Sequence, residues 1–442
     1  MKSKFKILIL TFVLASCNKN INSSNDISSS FIINSSSDIS SSFINYPEID
    51  ATIVDPGNNN LKKTFNVQGK IETSTNERVL PFNTQMTLTS YSNEAYEKLS
   101  PIYDYHIKRL HILFDRYNYY KDENGNIINN LKVINDSYAS NKEIIIDEDL
   151  FNMLEMSIEL SKLTKGYFNP TMGSLIDGWS KYFSPYGLTN EEFSIFDEET
   201  ICSRTISIVN YEDLEEVIEL NKEKSSVKFN KYSKAGIYNV IISLGAIAKG
   251  YAIDYMRQKY ARHETPLLIS GSASSSYLKG TNPNPKREGK WNILINSSYK
   301  HDYGESIPLL ISSLSPERAV STSGDYEQLF YYKNGDNLIR RHHILNPYSG
   351  HSESYYRSIT LYSESRSDIL DGLSTALFNI NDFEIIKEVI GEVEETYNLN
   401  IDYLFQKEVS DKKIELYYNE GFEKTINKYY EEIEVINKVR ID

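Results

Sequence analysis

Apolar positions along the chain follow two rhythms. After Ser100-Pro101, Tyr103, Leu110, Leu113, Phe114 and Tyr117 recur at helical spacing. The Ser-Pro pair predicts a helix that starts there, with serine as N-cap and proline in the first turn. A second helix is predicted from about Asp147 to Thr164. Asp147, Glu148 and Asp149 suit its N-terminal dipole, and Gly166 suits its C-terminal end. Short apolar runs, Ala319-Val-Ser-Thr-Ser and Ser358-Ile-Thr-Leu-Tyr, predict strands. Helices and strands alternate without a regular βαβ rhythm, so the fold class expected is α+β.

The N-terminal pattern is of another kind. Lys2, Lys4 and Lys6 precede an apolar stretch, Ile7 to Ala15, that is too short to span a bilayer. It ends Leu14-Ala15-Ser16-Cys17, the small-residue-then-Cys pattern of a bacterial lipoprotein signal. The expectation is export, cleavage before Cys17, and lipidation of Cys17 as a membrane anchor on the extracytoplasmic face. Ser and Asn dominate the stretch that follows, and Asp-Ile-Ser-Ser-Ser-Phe-Ile occurs at 26–32 and again at 38–44. Such a repeat reads as a flexible tether. The predicted organisation is therefore signal peptide 1–16, tether 17–64 and one folded body 65–442.

Composition narrows the function. The 442 residues are 40% hydrophobic and 12% aromatic, enough apolar material for a sizeable core. Lys and Arg total 47 against 61 Asp and Glu, for a net charge of −14. Loss of residues 1–16 removes three lysines and no acid, taking the charge to −17. That balance argues against a nucleic-acid binder. Besides Cys17 the only cysteine is Cys202, so a lipidated chain forms no internal disulfide. Two cysteines also argue against a Cys-based zinc site or a Cys–His catalytic pair.

Four segments carry candidate chemistry. Thr164-Lys-Gly-Tyr-Phe-Asn-Pro-Thr-Met-Gly173 is a tight, shaped loop at the end of the second helix, followed by Leu175, Ile176 and Trp179. It is equally readable as a plain turn between packed elements. Ser243-Leu-Gly-Ala-Ile-Ala-Lys-Gly-Tyr-Ala252 has the small residues that admit a ligand close to backbone, with Lys249 near a helix start. A packed strand–helix junction explains it as well. Thr322-Ser-Gly-Asp-Tyr326 is followed by Arg341-His-His-Ile-Leu-Asn-Pro-Tyr-Ser-Gly350, where His342, His343 and His351 cluster. A histidine beside such a turn can move a proton at a phosphate, although a lone His is more often structural. In Asp368-Ile-Leu-Asp371-Gly-Leu-Ser-Thr375, Asp371 and Thr375 stand one helical turn apart. Together they offer two hard oxygens to Mg²⁺; otherwise Asp371 is a helix-surface charge of little use to packing and Thr375 a buried hydroxyl.

Taken in order, GxFxPTxGxL, LGxIAKGYAxD, TSGDYxxxF, HHIxxPxxG and DxLSTALF resemble the ApbE family over roughly residues 80–442. Stretches 182–240 and 296–318 carry little of the resemblance. It implies a T-fold-like α+β body and a Mg²⁺-dependent FAD:protein FMN transferase, often an exported lipoprotein. A Thr or Ser hydroxyl of a partner protein would take FMN from FAD, and AMP would leave. Some members instead hydrolyse FAD to FMN and AMP.

Carried over residue by residue, the resemblance places Met86 at the strand lining the flavin and Tyr117 near its ring. Tyr167, Phe168 and Asn169 would cradle FAD, and Ser243 and Lys249 would contact it. The Ala246 carbonyl, Asp371 and Thr375 would hold the metal. His343 and Ile344 would lie on the phosphate side, with His343, Lys249 and Asp371 as the catalytic set. The chain departs from the family pattern at Ser243, Asn169 and Asn346, where Asp is common. It departs also at Lys165 and at Gly271-Ser-Ala-Ser, where a Gly-Gly-Asp or Gly-Gly-Asn turn is common. Two other classes compete with a flavin transferase: a flavin-binding lipoprotein without chemistry, and a surface adhesin suggested by the Ser/Asn tether and the many tyrosines. An adhesin has no use for Lys249, Asp371 and Thr375 together.

Overall fold

The structure is a computed structural model that describes residues 62–67, 70–180, 182–183, 198–272, 274–300, 306–326, 328–334 and 337–441. The signal peptide, Cys17 and nearly all of the tether lie outside the described residues.

A nine-stranded sheet organises the chain. Its strands are β1 (Lys63–Asn66), β2 (Met86–Ser90), β3 (Leu267–Gly271), β4 (Ser275–Lys279), β5 (Arg318–Gly324), β6 (Ser358–Ser363), β7 (Asp402–Ser410), β8 (Lys413–Tyr418) and β9 (Glu434–Arg440). Their order in space is their order in sequence. Neighbours are antiparallel except β8 and β9. Tight turns join β3 to β4 and β7 to β8, longer insertions separate the others, and the pairing is mostly antiparallel, which is why the sequence shows no βαβ rhythm.

Two faces of the sheet bury two cores. The longer helices are α1 (Asn93–Phe114), α2 (Glu148–Leu163), α3 (Gly173–Ser180), α4 (Ala248–Lys259), α5 (Ser367–Phe378) and α6 (Phe383–Tyr397), and all but α3 bury side chains in the core on one face. The main core of Leu110, Leu154, Ile253, Ile269, Ala319, Leu361 and Leu373 forms among the helices and against the sheet. On the other face Leu278, Val320, Tyr362 and Leu404 pack with Trp291 and Leu309, from a three-stranded sheet of Trp291–Lys300, Ser306–Leu314 and Ile426–Tyr429. Strand alternation explains the division: Ala319 belongs to the helix-side core and Val320 to the other. A third cluster gathers Trp179, Leu175 and Phe330.

Helix α2 follows its sequence signals. Asp147 caps it by accepting the Asp149 amide, and its C-cap is Thr164. Gly166, at φ +80°, returns its amide to the Ser161 carbonyl at 2.7 Å. Helix α1 does not begin at Ser100-Pro101. Its N-cap is Ser92, whose hydroxyl accepts the Ala95 amide at 3.2 Å, and Pro101 lies inside the helix. Leu99 and Tyr103, both fully buried, carry the helix through the missing proline N–H. Packing on both sides of the proline outweighs one lost hydrogen bond.

Candidate functional site

Two of the sequence segments are zipped together by backbone. Met172 and Ile241 form a parallel bridge, the Gly173 amide donates to the Ile241 carbonyl at 2.9 Å, and the Ser243 amide donates to Pro170 at 2.7 Å. Asn135 brackets the Ile242 peptide, accepting its N–H at 2.8 Å and donating to its C=O at 2.9 Å. Loop 241–247 is thereby held against loop 167–173, and α4 departs from its end with Lys249 as its second residue.

Helices α4 and α5 cross in close contact. A Cβ on Gly250 would stand 2.2 Å from the Ser367 carbonyl oxygen and 2.6 Å from Asp371 Cβ, so only glycine fits. At the crossing the Gly250 amide donates to Asp371 Oδ2 at 2.9 Å. Asp371 Oδ1 accepts from Ser275 Oγ at 2.8 Å and from Ser274 Oγ at 3.3 Å. Asp371 is only 3% exposed, which corrects its reading as a helix-surface carboxylate. The helical period alone does not reveal that both faces of α5 are covered. Thr375, one turn on, is the only residue of α5 that is not buried, and its hydroxyl donates to the Asp371 carbonyl at 3.3 Å. Further along the crossing, Asp254 accepts from the Arg366 amide at 3.1 Å and from Arg257 Nε at 2.8 Å.

The oxygen set suits a hard cation. Asp371 supplies one carboxylate, Thr375 a partly open hydroxyl, and the half-buried Ala246 sits just before α4. Among the described residues no group of three His, Cys, Asp or Glu side chains gathers to hold a metal. Mg²⁺ needs no such group, since it keeps waters and substrate oxygens and takes few protein ligands.

The other expected residues differ in exposure and in the partners that engage them. Lys249 is half-buried, and its ammonium lies 3.4 Å from the Gly245 carbonyl. Met86 pairs with Gly271 across β2 and β3; a Cβ built on Gly271 would stand 3.3 Å from the Met86 sulfur and 3.7 Å from Lys249 Cβ. Tyr117 is exposed, with Arg116 over its ring at 4.2 Å and donating to its hydroxyl at 2.6 Å, while Arg116 also pairs with Asp177. Tyr167 meets Tyr348 edge-on at 5.1 Å. Phe168 and Ile344 turn their side chains into the main core, and their amides donate to Thr164 Oγ1 at 3.2 Å and to His342 Nδ1 at 3.3 Å. The Asn169 side chain ties its loop to a distant segment, donating to the Val209 carbonyl at 2.8 Å and accepting from Thr171 at 2.9 and 2.7 Å. Asn346 likewise shapes its turn, accepting from the Tyr348 amide at 2.9 Å.

The two adjacent histidines differ. His342 is buried, its Nε2 2.8 Å from the Glu353 carbonyl and its Nδ1 accepting the Ile344 amide. Burial holds its pKa down to about 3. His343 is exposed. Crowding by neighbouring protein first, and the Lys249 ammonium second, push its pKa below the usual imidazole value. His343 and Lys249 therefore share one locality. Sequence reasoning did not find Ser275 or Asn135, and it gave no role to Gly250 or Asp254 although both stand in the second motif; Ser274 was visible only in Gly271-Ser-Ala-Ser, as a departure from a glycine turn.

Comparison with known proteins identifies the family and the fold. The ApbE family profile matches residues 82–394. A Treponema pallidum protein named FAD:protein FMN transferase is 24% identical over 247 residues, 54% of this chain and 62% of that protein. The chain thus spans less than two thirds of that relative's length. A Haemophilus influenzae protein of the same name is 26% identical over 273 residues, 61% of this chain and 70% of its own. Among solved structures, the ApbE protein of Thermotoga maritima shares the fold with a TM-score of 0.58 at 21% identity, covering 83% of this chain and 100% of that one. The flavin transferase ApbE of Vibrio cholerae gives 0.55 at 17% identity, over 82% and 99%. With a matching family profile over most of its length and a shared fold, the chain belongs to the ApbE family.

Proposed function

We propose that this protein is a Mg²⁺-dependent FAD:protein FMN transferase that acts on a Thr or Ser hydroxyl of an exported partner. The observation that carries the reading is the α4–α5 crossing, which sets the Asp371 carboxylate against the Gly250 amide, one residue from the Lys249 ammonium. The transferase names of the relatives support it.

In the proposed reaction the acceptor oxygen attacks the phosphorus that carries the FMN moiety. The bond from that phosphorus to the bridging oxygen breaks, and AMP leaves with that oxygen. His343, held neutral at pH 7 by its depressed pKa, takes the hydroxyl proton. Lys249 offsets pyrophosphate charge locally, which a chain of strongly negative net charge requires. Asp371, Thr375 and the Ala246 carbonyl would hold Mg²⁺, which neutralises charge on the phosphoryl oxygens. Loops 164–173 and 241–247 position FAD through backbone as much as side chain.

The test is incubation of the purified protein with FAD and Mg²⁺, with and without a candidate acceptor. Acceptor-dependent AMP release with covalent flavin on the acceptor is expected. AMP and free FMN released equally without acceptor would assign FAD hydrolysis instead, and no AMP under either condition would refute the reading. The same reading places the protein on the extracytoplasmic membrane face through Cys17. Cys17→Ala should release it from membranes or block its processing; normal processing with full membrane retention would refute the anchor.

A further inference from the structure

We infer that Ser275 is a positioning residue for the cation site, and that a buried set of serine hydroxyls behind it fixes the aim of the Asp371 carboxylate. The inference rests on the metal-dependent reading above and deepens it.

Strand alternation turns Ser275 of β4, and Ser321 and Ser323 of β5, toward α5, where Ser374 and Asp371 face them. Ser275, Ser321 and Ser374 are each no more than 1% exposed. Their hydroxyls run as a chain: Ser323 to Ser374 at 2.8 Å, Ser374 to Ser321 at 3.5 Å, Ser321 to Ser275 at 3.3 Å, and Ser275 to Asp371 Oδ1 at 2.8 Å. Ser374 also donates to the Asp371 carbonyl at 3.1 Å. Hydroxyls buried between a helix and a sheet cost desolvation that alanine would avoid. Here they end on the one carboxylate of the proposed cation site.

The grip on that carboxylate is two-sided. The Gly250 amide holds Oδ2 and Ser275 holds Oδ1, so the carboxylate plane cannot turn without breaking one bond. Oδ2, with the Gly250 amide as its one donor, keeps a lone-pair site for a cation, whereas Oδ1 already receives Ser275 and the weaker Ser274. Hydrogen bonds that orient a metal ligand typically set metal affinity by about ten- to a hundred-fold. Ser274, at 3.3 Å and only part-buried, is a weaker second donor to the same oxygen.

The test is Mn²⁺ titration of the full chain, followed by the free-ion electron paramagnetic resonance signal without FAD, alongside AMP release. Ser275→Ala should weaken Mn²⁺ binding about ten-fold. Its melting temperature and its metal-free affinity for FAD should stay near wild type. Ser275→Thr keeps the hydroxyl and should restore binding. Ser321→Ala, equally buried but one bond further from Asp371, should change it less. If Ser275→Ala fails to fold, Ser275→Cys, of similar size with a weak donor, carries the same comparison. Wild-type Mn²⁺ affinity in the Ser275 variant, with loss in Asp371→Asn, overturns this inference and leaves the metal site standing. Wild-type affinity in both variants overturns the metal reading as well.

Discussion

Replacing Asp371 by asparagine separates its chemical role from its structural one. The side chain keeps its shape and loses its charge. Gly250 N–H can only donate, so the amide oxygen must face it, and the new NH₂ turns toward Ser275, whose hydroxyl can rotate to accept. Two charge-assisted hydrogen bonds become neutral ones, at about 1 kcal/mol each. Relief from burying a charge offsets part of that. A body of this size has an unfolding entropy of about 0.8 kcal/mol per kelvin, so the melting temperature should fall by only about 2–3 °C. The cation, by contrast, loses its sole charged protein ligand. Charge stabilisation of several kcal/mol disappears from phosphoryl transfer, a fall of at least about 10³ in AMP release. Thr375→Val loses one 3.3 Å bond to the Asp371 carbonyl and one neutral oxygen, so its activity should drop about ten-fold with little thermal shift. Thermal denaturation and Mg²⁺-dependent AMP release on both variants decide the matter. Full AMP release by Asp371→Asn, or a Thr375→Val defect larger than that of Asp371→Asn, would falsify the assignment.

Gly250→Ala forces a Cβ to within 2.2 Å of the Ser367 carbonyl, so it should destabilise the protein by about 1–3 kcal/mol and part the helices at the cation site; urea unfolding reads the first and Mn²⁺ affinity the second, and wild-type values for both would refute the crossing. Lys249→Ala should weaken FAD binding by about 1–3 kcal/mol, checked by fluorescence titration, and unchanged affinity would remove Lys249 from the site. His106 and His342 have pKa values held down to about 3, and His111 to about 4, in each case by burial first. A depressed folded-state pKa gives stability that is present above the unfolded value near 6.5 and is lost as pH falls through the folded one. Urea midpoints should therefore decline from pH 6.5 toward pH 4, more steeply than one proton allows, and a flat profile would contradict the buried neutral state of these rings.

Much of the site was legible because its chemistry is local. Asp371 and Thr375 share a helix face by the period of the α-helix alone, and Lys249 stands at a helix start because small residues and Gly250 mark the junction. The strands at 318–324 and 358–363 and the helix ending at Gly166 follow from apolar runs and capping residues. The order of the five motifs identified the family. What remained hidden depends on contacts between residues far apart in the chain. Asp371 looked like a surface charge because one helix cannot report that α4 and the sheet cover it. The proline at 101 looked like a helix start because its local preference is real, and only the burial of Leu99 and Tyr103 overrides it. Asn169 and Ile344 matched a motif that specifies backbone shape, so the fold was free to turn their side chains inward. The hydroxyl bonds behind Asp371 join β4, β5 and α5 across 46 to 96 residues of chain, and the serines acquire meaning only when antiparallel pairing and the α5 face bring them together. Local periodicity and capping are properties of a segment; burial, register and hydrogen-bond partnership are properties of the folded chain.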